Sequence, residues 1–187
     1  MAQPTYEWRP PERRWREQDL LDLPENGNRY ELIDGSLHVT PPAGPDHHEL
    51  ADDIRMSLRQ AAPDGWRVIR EIGIRIPDGN LIPDITVLKP DAPRGQLWTE
   101  PVHVALVVEV ESPNSRRHDR FTKPALYAEA GIPHYWRVER GDFGPVIYRY
   151  QLVKAVHYNL LGTIGPDDPV QVDEPWPMRL DPSAWPR

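Results

Sequence analysis

Two acids stand where apolar runs begin and end, a placement that could do chemistry. Val104-Ala105-Leu106-Val107-Val108 leads into Glu109-Val110-Glu111-Ser112-Pro113, and five apolar residues in a row read as a strand buried on both faces. An ionised carboxylate at the end of such a strand is costly unless a cation or hydrogen-bond donors hold it. Earlier in the chain, Leu81-Ile82-Pro83-Asp84-Ile85-Thr86-Val87-Leu88 puts Asp84 at the start of a second apolar run. If the two strands are antiparallel neighbours, the end of one lies beside the start of the other and the two carboxylates meet. Such a pair suits a hard divalent cation such as Mg²⁺ (or Mn²⁺), which takes few carboxylates and keeps several waters. A metal held this way lowers the pKa of a bound water and clamps a phosphoryl oxygen. Lys123, on the segment that follows the Glu109 strand, is the cation available to offset developing charge. Each residue alone also has a plainer reading: Pro83-Asp84 as a turn dipeptide, Glu109 as a solvated edge acid, and Lys123 as a surface lysine with little core packing.

The elements that must position these residues follow from pattern. Residues 15–23 can form a short helix, stopped by Pro24. Arg29–Ile33 and Ser36–Thr40 flank Asp34-Gly35, a strong hairpin signal. Asp46 is a candidate N-cap for a helix whose stripe is His47, Leu50, Ile54 and Leu58. Trp66–Ile76 alternates as one half-exposed strand, and Pro77-Asp78-Gly79-Asn80 turns the chain into the Asp84 run. After a Pro/Gly loop and the Glu109 strand, Pro113-Asn114-Ser115 opens a turn. The next helix is predicted to start between Asp119 and Lys123, because Pro124 is tolerated only in a first turn. Gly131 caps it. His134–Val138 is a further strand, and Val146–Leu152 with Val156–Leu161 reads as a peripheral hairpin. This order predicts an α/β fold, a mixed β-sheet flanked by helices.

Composition narrows the classes. The 187 residues suit one domain. The net charge of −7 is not that of an overall nucleic-acid binder, so any such contact needs a local basic patch. With no cysteine there are no disulfides or thiolate metal sites. No apolar run reaches the roughly 18 residues that span a bilayer, and the N-terminus lacks a signal-peptide profile. A cytoplasmic protein without membrane contact is the expectation. Trp8, Trp15, Trp176 and Trp185 lie in or near Pro-rich ends and are hard to bury in one small core, which predicts a homodimer that covers them.

The motifs together resemble the Uma family of restriction endonucleases, within the PD-(D/E)XK nuclease superfamily. The resemblance rests on Arg29-Tyr30-Glu31-Leu32-Ile33-Asp34-Gly35, on Pro83-Asp84, and on Val108-Glu109-Val110-x-Ser112-Pro113. It continues through Asp119-x-x-x-Lys123-x-x-x-Tyr127-x-x-x-Gly131-Ile132-Pro133-x-Tyr135-Trp136. It implies a restriction-endonuclease-like domain over 15–165, between an N-terminal arm (1–14) and a Pro-rich C-terminal tail (166–187). It also implies a Mg²⁺-dependent phosphodiesterase acting on DNA, with Asp84 and Glu109 as catalytic acids and metal ligands. The superfamily lysine should stand two residues after the acid, where this chain has Glu111; the resemblance implies that Lys123 replaces it from the following helix. Glu111 is then either a further metal ligand or a charge that repels DNA. Glu31 matches a third acid. His47 matches a histidine opening the first core helix, the plainer alternative being helix capping. Arg116, Arg117 and Arg120 are candidates for DNA phosphate contacts, or an exposed charged turn. The alternative function is a catalytically altered nuclease-fold protein that serves as a DNA-binding or regulatory module.

Overall fold

The computed structural model describes residues 10–113, 115–154, 157–166 and 169–185; Trp8 with most of the N-terminal arm, Asn114 and Val156 lie outside them. In chain order the elements are α1 (Glu17–Leu20), β1 (Arg29–Ile33), β2 (Ser36–Thr40), α2 (Pro45–Ala61), β3 (Arg67–Arg70), β4 (Gly73–Ile76), β5 (Gly79–Leu81), β6 (Ile85–Leu88) and β7 (Trp98–Thr99). They continue with β8 (Val104–Val110), α3 (Lys123–Glu129), β9 (His134–Gly141), β10 (Gly144–Val153), β11 (His157–Ile164), β12 (Val170–Val172) and β13 (Met178–Leu180). A six-stranded sheet in the order β11-β10-β9-β8-β6-β3 forms the centre, beside a five-stranded sheet β2-β1-β5-β4-β7 and the β12-β13 hairpin. Strand β8 runs parallel to β9 and antiparallel to β6, so the central sheet is mixed, as the α/β reading predicts.

Local chemistry explains most boundaries. Asp34 (φ 50°) and Gly35 (φ 69°) both adopt the positive φ that a tight two-residue hairpin needs, and Ile33 pairs Ser36 across them. Helix α2 buries Leu50, Ile54 and Leu58 as their spacing predicts, but its N-cap is Gly44, not Asp46. Pro45 takes the first turn, where a missing N–H costs nothing. Strand β8 covers the predicted run, and all seven of its residues are buried.

Several expectations fail for identifiable reasons. The predicted single strand over 66–76 is two strands in different sheets. Glu71 sits at φ 52°, which breaks the extended backbone, and β4 then approaches β7 so closely that a Cβ on Gly73 would lie 2.0 Å from the Trp98 ring. The Asp84 run is split likewise, because Pro83 has no N–H for a ladder and parts β5 from β6. Helix α3 is preceded by a π-helical turn, His118–Thr122, in which the Lys123 N–H reaches the His118 carbonyl five residues back. Pro124 is accommodated beyond that widened turn, so helical structure begins earlier than a proline rule predicts. The hairpin β10-β11 is not peripheral, since it extends the central sheet.

Alternation along β8 divides the core. Leu106, Val108 and Val110 pack in one cluster with Leu50, Ile54 and Leu58 of α2. Val104 and Val107 face the other cluster, with Tyr127, Ile132 and Tyr135 around α3. The C-terminal stretch joins the first cluster through Val172, Trp176, Met178, Leu180 and Trp185. Trp176 and Trp185 are thus buried within their own chain, whereas Trp15 stays partly exposed. No described helix is long and apolar enough to cross a membrane.

Candidate active site

The antiparallel register of β6 and β8 sets Ile85 opposite Val108, so Asp84 and Glu109 stand at the same end of adjacent strands. Asp84 Oδ2 accepts the Val110 N–H at 2.8 Å, which fastens the loop before β6 to the end of β8. Asp84 Oδ1 accepts Arg29 Nη2 at 2.8 Å. His47, in the first turn of α2, places Nε2 3.2 Å from Asp84 Oδ2 and 3.0 Å from the Val110 carbonyl oxygen.

Glu109 alternates with Val108 and Val110 and therefore points to the α3 face of the sheet. There Lys123 and Tyr127, one helical turn apart, deliver two donors to one oxygen: Nζ at 3.0 Å and Oη at 2.7 Å from Glu109 Oε1. Lys123 Nζ is also 3.6 Å from Glu31 Oε1 and 3.7 Å from Asp119 Oδ1. Glu31 is fixed by the Ile82 N–H at 2.8 Å. Arg29 and Glu31 are two apart on β1, so one strand face sends a cation and an acid to the same point. The sequence suggested a surface lysine at 123; the residue is only 5% exposed.

The electrostatics are lopsided. Glu31, Asp84, Glu109 and Asp119 surround two permanent cations, Arg29 and Lys123, with His47 beside them. Burial pushes the Glu109 carboxyl well above its usual range; Lys123 opposes this, and Asp119, Asp84 and Glu31 add to it. Burial would raise Asp84 too, but the His47 hydrogen bond and the Arg29 charge overcome it and hold Asp84 ionised. Burial alone would lower Lys123, and the surrounding acids, Glu109 first, reverse that and keep the ammonium protonated. Asp119 is raised by burial against the pull of Lys123, and its Oδ1 has no hydrogen-bond donor.

Of the sequence-predicted residues, Asp84, Glu109, Lys123, Glu31 and His47 come together, and Glu111 does not. Beyond the end of β8, Glu111 takes Arg116 Nε at 2.6 Å and Arg120 Nε at 2.7 Å, with Arg137 Nε at 3.7 Å. Arg116 and Arg120, expected to face DNA phosphates, are thereby charge-compensated, while Arg117 makes no ion pair among the described residues. Sequence reasoning missed Arg29, Tyr127 and the Val110 backbone. Arg29 could have been found from its period-two relation to Glu31, and Tyr127 from its spacing of four to Lys123. The Val110 N–H carries no side-chain signal.

Arg29, Glu31, His47, Asp84, Glu109, Asp119 and Lys123 line a cleft of about 790 Å³. The β1-β2 hairpin walls one side and the segment through Ser112, His118 and Asp119 the other, with the rings of His38 and His118 5.5 Å apart across it. The donor set suits a hard divalent cation: Asp84 Oδ2, the Val110 carbonyl and His47 Nε2 converge, and four buried carboxylates share only Arg29 and Lys123. Among the described residues no three His, Asp or Glu side chains form a ready-made metal cage. An ion would rest on Asp84 and Glu109 and keep waters, in the manner of Mg²⁺.

A family model described as "Uma2: Putative restriction endonuclease" matches residues 17–181. No curated protein matches the chain. Among solved structures the chain is similar to a protein from Anabaena variabilis titled a "putative nuclease belonging to DUF820", with a TM-score of 0.64 and 15% identity over 83% of this chain and 88% of that one. At that identity the likeness speaks for a shared fold.

Proposed function

The chain belongs to the Uma2 family, and from that premise we propose that it is a metal-dependent endonuclease that hydrolyses DNA phosphodiester bonds in the Asp84–Glu109 cleft. One observation carries the reading. Two carboxylates stand at adjacent strand ends, and one of them, Glu109, lies 3.0 Å from a buried, protonated lysine in a cleft with more negative than positive charge.

Asp84 and Glu109 would hold the ion, and the Val110 carbonyl and His47 Nε2 stand at the same point. A bound divalent ion would supply Lewis acidity toward the phosphate and a more acidic water. The remaining work belongs to the chain. His47 and Arg29 keep Asp84 ionised, and the Val110 N–H helps to orient it. Tyr127 fixes the Glu109 carboxylate by donating to Oε1. Lys123 stays protonated, which suits it to orient an attacking water and offset charge on the phosphate rather than to act as a base.

The test is nicking of supercoiled plasmid by purified protein with Mg²⁺, with Mn²⁺ and with EDTA. Nicking with either ion and none in EDTA is the expected result; cleavage indifferent to EDTA, or no cleavage with either ion, defeats the proposal. A catalytically altered DNA-binding or regulatory module is the second reading. Its support is Glu111 at the superfamily lysine position and the full engagement of both Asp84 oxygens. Plasmid binding without nicking would favour it.

A further inference from the structure

The far end of α2 carries a second depression, of about 340 Å³, whose chemistry is the reverse of the cleft's. Arg59 from the last turn of α2, Trp66 and Arg67 at the start of β3, and Arg94 from the loop after β6 line it, and no carboxylate does. In a chain of net charge −7 that is unusual. Arg29, Arg55, Arg70, Arg75, Arg116 and Arg120 all meet carboxylates. Arg59, Arg67 and Arg94 make no ion pair among the described residues.

Two of the three are nevertheless held in place. Arg59 Nη1 donates to the Trp66 carbonyl at 3.0 Å, and Arg67 Nη2 donates to the Ala92 and Pro93 carbonyls at 2.7 and 2.9 Å. Bonds to neutral carbonyls orient a guanidinium without cancelling its charge. Arg94 has no hydrogen-bond partner among the described residues. Trp66 is anchored from behind by the Trp176 ring at 5.2 Å. Strand β3 is the last of its sheet, so part of its backbone N–H row has no strand partner. Fixed guanidinium forks, uncompensated charge and edge amides are the donor set that phosphate selects.

We propose that the Arg59–Arg67–Arg94 depression binds phosphate, supplied by a nucleic-acid backbone lying across this face and the cleft. From His47 to Arg59 the helix rises about 18 Å at 1.5 Å per residue. That separation along the helix is roughly five duplex steps at 3.4 Å each, within the length of one short duplex. This binding does not require the cleft to be catalytic.

The experiment uses full-length protein in EDTA, with a fluorescent 16-base-pair duplex as probe and anisotropy followed across a salt series. Arg59 and Arg94 are exposed and are the ones to change; Arg67 is left alone because it braces a loop. The double variant Arg59→Gln/Arg94→Gln is expected to weaken binding about tenfold and to flatten the log–log salt slope by roughly two, one per lost phosphate contact. Arg94→Glu should weaken binding further, while Arg14→Gln, away from the depression, should leave it unchanged. Unlabelled mononucleotide and inorganic phosphate are the competing probes. If either displaces the duplex from wild type and not from the double variant, the phosphate site stands and its source includes free nucleotides. Equal binding and equal slope in wild type and double variant overturns the proposal, as does a wild type that binds neither duplex nor phosphate. Loss of duplex binding in the double variant together with no metal-dependent nicking by wild type would strike the endonuclease reading alone.

Discussion

Glu109 and Glu111 are two residues apart at the end of one strand, and their surroundings pull them in opposite directions. Glu109 lies among Asp84, Glu31 and Asp119 with one ammonium and one phenol to hold it, and its carboxyl is raised, burial first. Glu111 is also shielded from solvent but less deeply enclosed, and Arg120 and Arg116 bind it; they overcome the effect of burial and lower its carboxyl. Burial acts on both acids, and the neighbouring charges decide which way each one moves. Around Glu109 nearby carboxylates add to burial against a single ammonium, whereas around Glu111 two arginines outweigh it. Glu111 acts instead as a clasp that ties the turn before α3 to the sheet.

The strongest way to break this contrast is to remove the acids themselves. Asp84→Ala and Glu109→Ala should each reduce metal-dependent plasmid nicking to background, whereas Glu111→Gln should leave nicking within a fewfold of wild type. If all three lose activity equally, the two acids are not functionally distinct.

Next comes Lys123. Lys123→Ala is expected to lower the nicking rate about 10²–10³-fold, the usual cost of a lost electrostatic stabiliser. It removes one partner of a buried pair, so urea unfolding should also show a loss of about 3–5 kcal/mol. The lysine is not a detachable surface group, and Lys123→Ala in a Glu109→Gln background should recover much of that stability. A double variant as unstable as Lys123→Ala alone would mean that Lys123 supports the fold by packing rather than charge.

Glu111→Lys restores the superfamily spacing on paper. In this fold it places an ammonium among Arg116, Arg120 and Arg137. It should destabilise the protein and fail to rescue Lys123→Ala in the nicking assay. Rescue would show that a side chain at position 111 can reach the cleft.

The smallest effect is also the most direct comparison. With a folded-state value raised above its ordinary 4.5, Glu109 contributes stability below that pH and loses it as pH rises through the raised value. Glu111, lowered from 4.5, contributes above that pH and loses the contribution as pH falls through its lowered value. Melting temperatures in EDTA should therefore fall less toward alkaline pH in Glu109→Gln than in wild type, and less toward acid pH in Glu111→Gln. Identical pH profiles for the two variants would erase the distinction.

Sequence alone determined the pieces whose information is local. The Asp34-Gly35 hairpin follows from turn chemistry, the α2 stripe from helical spacing, and β8 from an uninterrupted apolar run. The placement of Asp84 and Glu109 at the same end of adjacent strands was legible too, because antiparallel neighbours joined by one loop bring a strand's end to the next one's start. Tertiary structure decided the rest. The break at Glu71 depends on where two sheets part, and the π-turn before Pro124 on how a helix is held against the sheet. That Lys123 is buried, that Arg29 braces Asp84, and that Arg116 and Arg120 serve Glu111 depend on residues far apart in the chain. A side chain's charge is written in the sequence, but its partner is not. Which carboxylate each cation faces is fixed only when strands and helices pack, because Coulomb and hydrogen-bond energies depend on distances of a few ångströms that no linear spacing specifies.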